Sequence, residues 1–177
     1  MRRVAEGDEA AFTELVGKYK NPVHAFVYRM LGDTDEADDV AQEVFIKLYR
    51  TADLYEPRAK FTTWLFAIAN HLATDRLRKR QRRRTFTGNE AETAIQNATD
   101  PKGNPAQRLA GEEQAAAVQR AIGQLPPDQR TALVLCEYEE MSYAEIAEVM
   151  RCSVKSVESR LYRAKQFLRD KLAKWLP

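Results

Sequence analysis

The chain has 177 residues, of which 44% are hydrophobic and 31% charged, enough apolar material for one compact domain or two small ones. This composition excludes a disordered acidic tail and a fibrous repeat. Gly and Pro number only seven each, and apolar residues recur at helical spacing, so an all-α fold is predicted. The net charge of +2 hides a separation: six carboxylates lie between Asp33 and Glu43, and seven basic residues between Arg76 and Arg84.

Targeting, disulfide and metal signals are absent from the sequence. No apolar run approaches the ~18–20 residues that span a bilayer, and acidic sequence follows Met1-Arg2-Arg3 where a signal peptide would be apolar. We therefore expect a cytoplasmic protein without membrane insertion. Cys136 and Cys152 offer neither a disulfide framework nor a CxxC site, and His24 and His71 lack partners at metal-ligand spacing. We predict reduced thiols, no cofactor, no metal and no catalytic residue.

The first third of the chain reads as three helices. A helix over Asp8–Tyr19 is followed by Asn21-Pro22, which predicts a break, and by a second helix over about Val23–Leu31. Gly32 ends that helix, and Asp33 and Thr34 are N-cap candidates for the next.

The third helix has a clear apolar stripe and an acidic opposite side. The residues predicted to be buried are Ala37, Val40, Ala41, Val44 and Leu48. Asp35 and Glu36 are explained by the helix macrodipole, which favours acidic residues in a first turn by roughly 0.3–1 kcal/mol each. Asp39, Gln42 and Glu43 lie further along, and for them a solvated face and a docking face stay open.

A fourth helix follows a loop over Thr51–Lys60. Its apolar stripe is Phe61, Trp64, Leu65, Ile68 and Leu72, and it is expected to continue to about Arg80. Its predicted exposed side carries Asn70 and then the basic run. Arg neutralises phosphate and Asn can hydrogen-bond a base edge, so this helix predicts nucleic-acid contact.

Residues 85–111 lose the apolar periodicity and are rich in polar residues, Gly and Pro. We interpret them as a flexible linker between a domain over 1–84 and a domain over 112–177. Fully extended, such a linker spans up to ~80 Å, so the two halves are expected to bind well-separated sites on one ligand.

The second half predicts a helix-turn-helix, with an ordinary corner between two helices as the alternative. Helices are expected near Glu112–Leu125 and Thr131–Tyr138, separated by Pro126-Pro127. Ser142 and Glu145 form a capping box for a short helix, and a tight connection at 151–153 follows. Ser153 caps the last helix, whose predicted apolar positions are Val154, Val157, Leu161, Leu168 and Leu172.

The N-terminal half of this last helix offers polar side chains where a major-groove helix meets base edges. Arg163 suits a guanine or a phosphate. Glu158 repels phosphate unless it accepts from a cytosine amino group or pairs with a nearby cation, so both readings stay open.

Five motifs follow one another along the chain: Asp38–Phe45, Phe61–Asn70, Leu125-Pro126, Ser142–Ala147 and Ser159–Ala164. Together they resemble the extracytoplasmic-function (ECF) sigma factors of bacterial RNA polymerase. The resemblance covers nearly the whole chain as region 2, a linker and region 4. It implies a two-domain helical protein that binds core RNA polymerase and directs promoter recognition and opening.

The resemblance also implies roles for individual residues. Those matching the surface that docks on core polymerase are Asp35, Asp38, Asp39, Gln42 and Glu43. Those matching the contacts with the single-stranded minus-ten element are Arg58, Lys60, Phe61, Asn70, Arg76, Arg78, Lys79 and Arg80. Those matching the contacts with the double-stranded minus-thirty-five element are Ser153, Lys155, Ser156, Glu158, Ser159, Arg160, Tyr162 and Arg163. An anti-sigma partner is implied in the same way.

The sequence departs from the family pattern at two positions. Arg151 stands where the turn commonly has Gly, and Glu158 stands where a basic or polar residue is common. Two other function classes are weighed against the sigma factor: a free-standing two-domain regulator, for which the acidic helix is merely solvated, and a nucleic-acid-modifying enzyme, for which no matching metal set is present.

Overall fold

The computed structural model describes residues 1–58, 60–87 and 105–173, and the side chains of 84–87 and 105–112 lie outside this description. Every regular element in these residues is helical, which agrees with the predicted all-α class. In chain order the helices are α1 (Arg2–Ala5), α2 (Glu9–Leu31), α3 (Thr34–Arg50), α4 (Phe61–Thr87), α5 (Pro105–Gln124), α6 (Pro127–Glu137), α7 (Tyr143–Met150) and α8 (Val154–Lys171), with a 3-10 turn at Ala52–Leu54. We call α1–α4 the N-terminal bundle and α5–α8 the C-terminal bundle.

The N-terminal bundle forms because α2, α3 and α4 bury their apolar stripes against one another. All five residues predicted for the α3 stripe are buried, which confirms the periodicity. Gly32 ends α2 in the left-handed conformation (φ 72°), a backbone geometry that glycine adopts without steric cost. The Asp33 carboxylate then accepts a hydrogen bond from the backbone N–H of Glu36 at 2.9 Å and caps α3.

The predicted break at Asn21-Pro22 is wrong, because α2 runs through Pro22 without interruption. A proline inside a helix costs about 3 kcal/mol through a lost hydrogen bond and a steric clash. Directly after it, Val23, Phe26 and Val27 are fully buried. Burying each such side chain contributes roughly 1.5–3 kcal/mol, so packing of the second half of α2 outweighs the local penalty.

Three helix boundaries also differ from the prediction. Helix α6 begins at Pro127 and not near Thr131, because proline at the first helical position lacks only an N–H that has no partner there. Helix α5 likewise begins at Pro105, and α4 continues to Thr87. The helices therefore extend into the predicted linker 85–111 from both sides, while residues 88–104 lie outside the described residues.

The C-terminal bundle contains the predicted helix-turn-helix in α7 and α8. Ser142 and Glu145 form the capping box, and Ser153 caps α8 through the N–H of Ser156. Arg151 adopts the left-handed conformation (φ 50°) that the family pattern would assign to glycine. On α8, Val157, Leu161 and Ala164 are buried. Val154 is 42% exposed, contrary to the prediction, because it is the first residue of the helix and helical side chains point toward the N-terminus, so its side chain lies at the end of the stripe.

The two bundles pack against each other. The prediction of two domains joined by a flexible linker did not include this contact. Helix α2 contacts α5 and α6, and α4 contacts α6 and α7. The buried hydrophobic cluster is continuous from one bundle to the other. Among the described residues no helix combines the length and apolar character that a membrane span requires.

Candidate protein and nucleic-acid interfaces

The outer side of α3 is an exposed acidic face. All five predicted docking residues are exposed on it: Asp35, Asp38, Asp39, Gln42 and Glu43. Asp38 lies 3.2 Å from Nε2 of His24 on α2, and Glu43 lies 3.1 Å from Arg76 on α4. The face therefore extends beyond the first helical turn, where the macrodipole explains acidic residues, and its carboxylates are oriented by neighbouring helices.

The basic residues of α4 divide into two sets. Arg76 pairs with Glu43, and Arg80 donates to the carbonyl oxygen of Leu31 at 3.3 Å and lies 3.9 Å from Glu36. Both side chains are therefore turned toward α3.

The second set of α4 cations faces solvent. Arg78 and Lys79 are exposed, although Arg78 lies 3.6 Å from Asp75 of its own helix. The sequence-based prediction did not distinguish between the four cations of the minus-ten set that lie on α4. In the structure, two of them, Arg76 and Arg80, form ion pairs with α3.

An aromatic cluster surrounds Phe61 at the start of α4, and the cation Arg58 precedes it in the sequence. The ring of Phe61 lies 5.1 Å from that of Tyr19, 6.1 Å from that of Tyr55 and 6.3 Å from that of Trp64. Arg58 is exposed and pairs with Glu56 at 2.8 Å. Aromatic rings beside cations suit stacked, unpaired bases. Tyr19 and Tyr55 were not singled out from sequence, because only the tertiary structure brings them to Phe61.

Asn70 does not lie on an open surface, contrary to the prediction. It is half-buried, and its Oδ1 accepts from the hydroxyl of Thr131 in α6 at 3.0 Å and from that of Thr74 at 3.4 Å. Lys60 is also engaged by the C-terminal bundle, since its Nζ lies 2.8 Å from Glu145 of α7. Two predicted minus-ten residues are therefore in contact with the other bundle.

The surroundings of Glu145 favour the ionised form of its carboxyl group. The hydrogen bond from Lys60, together with those from the Ser142 hydroxyl and backbone N–H, lowers the pKa of the Glu145 carboxyl to about 2. Hydrogen bonds to a carboxylate favour its ionised form. The Lys60 contact is therefore an ion pair throughout the physiological pH range.

The side of α8 that points away from the buried core is exposed to solvent. Six of the eight predicted minus-thirty-five residues are exposed on it: Ser153, Lys155, Glu158, Ser159, Tyr162 and Arg163. Tyr162 is 67% exposed. An exposed, capped helix with polar side chains at its N-terminal half has the shape and chemistry of a major-groove reader.

The other two residues of that set help to hold α8 in place. The N–H of Ser156 donates to the capping hydroxyl of Ser153. Arg160 donates to Asp128 of α6 at 3.0 Å and to Sγ of Cys152 at 3.0 Å. Cys136 and Cys152 are both free thiols.

Two family models match the chain over most of its length. Residues 15–83 match sigma-70 region 2, and residues 115–168 match sigma-70 region 4. These ranges coincide with the two helical bundles and with the surfaces described above. The fold and its sites therefore define a sigma-70-type initiation factor of two regions.

Sequence relatives show to which group of sigma-70-type factors this chain belongs. It is 40% identical over 170 residues to the RNA polymerase sigma-H factor of Pseudomonas aeruginosa, covering 94% of this chain and 88% of the relative. It is 34% identical over 176 residues to the ECF RNA polymerase sigma factor SigW of Bacillus subtilis, covering 97% of this chain and 94% of the relative. The chain belongs to the ECF sigma factors of bacterial RNA polymerase.

Solved structures agree with this assignment. CnrH, solved in complex with the cytosolic domain of CnrY, matches 98% of this chain and 94% of its own with a TM-score of 0.70 and 26% identity. The sigma factor RpoE of Bartonella quintana, solved with the anti-sigma factor NepR, shows the same fold with a TM-score of 0.76 and 23% identity, covering 92% of this chain and 97% of its own. This chain aligns with almost the whole length of relatives that are named sigma factors. The comparison therefore favours a sigma factor over a free-standing regulator.

Proposed function

We propose that the acidic face of α3 docks on core RNA polymerase and that α4 and α8 read the two promoter elements. The observation that carries the proposal is that one chain presents an exposed acidic helix face, an aromatic and basic α4 and an exposed capped α8. Carboxylates on an exposed face suit a basic partner surface through electrostatic complementarity. The docking residues are Asp35, Asp38, Asp39, Gln42 and Glu43.

The proposed minus-ten site lies at the start and along the exposed side of α4. The ring cluster around Phe61 stacks unpaired bases, Asn70 hydrogen-bonds a base edge, and Arg58, Lys60, Arg78 and Lys79 neutralise phosphates. Flipping and stacking bases requires only a pocket and contacts that offset a few kcal/mol of unpairing. We therefore assign no catalytic residue to the chain and infer that it is not an enzyme.

The proposed minus-thirty-five site is the exposed face of α8, on which Lys155, Ser159 and Arg163 face outward. We further propose an anti-sigma partner that covers these surfaces, as the resemblance to the family implies. The likeness to CnrH, solved with a partner's cytosolic domain, supports it. The site of action is the cytoplasm, where the proposed partners, core polymerase and promoter DNA, are found.

Run-off transcription with core polymerase on promoter fragments of the source genome tests the proposal. We expect transcripts that depend on this protein and share two upstream motifs. Transcripts that form equally well without the protein would contradict it, as would DNA binding that needs no polymerase and yields no transcript.

The docking face has its own test in Asp39→Lys, which reverses one exposed charge. We expect core-polymerase binding to fall about tenfold with the fold unchanged, because like charges then meet across the interface. Asp170→Lys, at an exposed aspartate near the end of α8, is the matched control and should leave core binding unchanged. Equal loss in both variants would show that net charge, and not this face, governs docking.

A further inference from the structure

Glu158 is an exposed carboxylate in the helix that faces duplex DNA in the proposed function. It follows the cap at Ser153 by five positions. It lies three residues after Lys155 and four before Tyr162, so these three exposed side chains share one side of α8. The N-terminal half of such a helix is the part that meets base edges in the major groove. A negative charge is unexpected there, because the phosphates of the duplex repel it.

The structure leaves this carboxylate without a cation of its own. Among the residues that the structure describes, Glu158 forms no ion pair. Two neighbouring cations of α8 are used elsewhere: Arg160 pairs with Asp128 of α6 at 3.0 Å, and Lys165 pairs with Glu137 at 2.8 Å. The pairing with a nearby cation, which the sequence left open, is therefore not formed.

The position of Glu158 in α8 does not explain its charge either. The helix macrodipole favours acidic residues within the first turn only, and the first turn of α8 contains none. The cap is already supplied by Ser153, whose hydroxyl accepts from the N–H of Ser156 at 3.2 Å. The local fold therefore gives no reason for a carboxylate at this position.

The hydrogen-bonding groups in the major groove decide what a carboxylate can bind there. A carboxylate only accepts hydrogen bonds. Guanine presents the acceptors N7 and O6, and thymine presents the acceptor O4, so neither offers it a donor. Cytosine presents its N4 amino group, whereas adenine presents its N6 amino group beside the acceptor N7, which repels a second carboxylate oxygen. The expected order of preference is therefore cytosine, then adenine, then thymine and guanine.

Two cations on the same helix offset the repulsion between Glu158 and the phosphates. Lys155 and Arg163 are exposed, and neither forms an ion pair with another described residue. They lie three positions before and five positions after Glu158, and both can bind phosphate, while Arg163 can also bind guanine. The exposed side of α8 thus keeps a positive charge overall, and the single carboxylate lies between the two cations.

We propose that Glu158 is a specificity-determining residue of the minus-thirty-five site, and that its carboxylate accepts a hydrogen bond from the N4 amino group of a cytosine. The inference rests on the proposed assignment of α8 to that promoter element and specifies one base pair of it. A guanine in place of this cytosine removes the donor and brings two acceptors toward a negative charge. Since a basic or polar residue is common at this position in the family, the chain differs at this base pair from such members.

Selection of DNA by the polymerase-bound protein tests the proposal. The pool consists of fragments of one run-off promoter in which only the upstream element is randomised, and the fragments that the complex with core polymerase retains are sequenced. We expect wild type to prefer cytosine at one position by at least about fivefold over guanine and thymine. Because a glutamine side chain suits N6 and N7 of adenine, Glu158→Gln should shift the preference at that position alone from cytosine toward adenine.

A second measurement separates base reading from simple repulsion of phosphate. Removal of one negative charge by Glu158→Gln should raise binding to duplex DNA without the element about two- to threefold at the same salt concentration. Binding to the selected element that carries cytosine should instead fall at least about threefold. A uniform rise on both DNAs would show that Glu158 only repels phosphate, and would overturn the proposal. Asp170→Asn, at an exposed position near the end of α8, is the matched control and should leave the base preference unchanged.

The outcomes separate this inference from the function on which it rests. Glu158→Ala should lose the cytosine preference without gaining adenine, and a preference retained in this variant would overturn the role of Glu158. An upstream motif whose positions are all unchanged in Glu158→Gln would do the same, while leaving the sigma-factor assignment intact. A wild-type protein that enriches no upstream motif in the presence of core polymerase would instead contradict the proposed function.

Discussion

The two proposed DNA-binding surfaces have similar chemistry but differ in availability. On α8, Lys155, Ser159 and Arg163 are directed to solvent. At α4, Asn70 on the helix and Lys60 just before it contact Thr131 and Glu145 of the other bundle. The proposed minus-thirty-five surface is therefore exposed, whereas part of the proposed minus-ten surface is in contact with the C-terminal bundle.

The difference arises from where each helix lies in the fold. Helix α8 packs one stripe onto α5, α6 and α7, and the residues on its opposite side are exposed. Helix α4 is central, with α2 and α3 on one side and α6 and α7 on the other. Recognition residues on the peripheral helix α8 are therefore mostly exposed, whereas on the central helix α4 some of them, such as Asn70, lie in contact with a neighbouring helix.

The largest effect is expected for Arg130→Met in α6. The buried Arg130 side chain donates to the backbone carbonyl oxygens of Met30 in α2, Gly123 and Leu125, and the contact with Gly123 is only partly buried. Each carbonyl left without a partner costs about 1–3 kcal/mol, so the free energy of unfolding should fall by about 3 kcal/mol or more. Urea denaturation measures it. Arg169→Met, at an exposed position of α8, should stay within about 0.5 kcal/mol of wild type. Similar losses in both variants would mean that Arg130 does not hold the bundles together.

Asn70→Ala should separate discrimination from affinity at the minus-ten element. Loss of the base contact is expected to reduce discrimination against a wrong base by about 1–3 kcal/mol, while core binding stays unchanged. The same variant removes the hydrogen bond of 3.0 Å between the Thr131 hydroxyl and Asn70. Competition between matched and mismatched promoters in run-off transcription measures the discrimination, and loss of core binding would contradict the placement of Asn70.

Arg163→Ala probes the open surface alone. We expect a loss of about 1–3 kcal/mol in binding to minus-thirty-five duplex DNA through a bidentate base contact, concentrated at one base position. The change should be the same in the free and the polymerase-bound protein, because α8 is open in both. Fluorescence anisotropy measures it, with Arg169→Ala as the control on the same helix, and an unchanged affinity removes Arg163 from the interface.

The smallest effect is expected for Arg151→Gly in the turn before α8. A left-handed conformation costs an L-residue roughly 1–2 kcal/mol, and glycine offsets part of this gain through its larger entropy in the unfolded chain. The free energy of unfolding should therefore rise by about 0.5–1 kcal/mol, as thermal denaturation would show. Arg151→Ala retains the strain and should bring no gain, and promoter binding should be unchanged in both variants.

Local signals in the sequence predicted most helices and their caps. The α3 stripe, the end of α2 at Gly32, the capping box at Ser142 and the cap at Ser153 all follow from periodicity and short-range hydrogen bonding, which involve residues three or four positions apart. The exposure of the acidic face was predicted on the same ground. Its docking role stays a prediction.

Where tertiary packing competed with a local rule, the local rule failed. Pro22 lies inside α2 because the residues after it are buried. The start of α6 at Pro127 has a different reason: a local rule that the prediction did not apply, since proline is favourable at a first helical position. Val154 has the spacing of the buried stripe but is 42% exposed, because as the first residue of α8 it lies at the end of that stripe.

The sequence by itself determined the all-α class, the two helical units, the helix-turn-helix and the family. It could not determine that the units close on each other. That arrangement depends on pairs such as Arg130 with Met30, and Thr131 with Asn70, which are separated by 100 and 61 residues. Such contacts join groups whose own local patterns are complete without them, so only the tertiary structure decides whether they form.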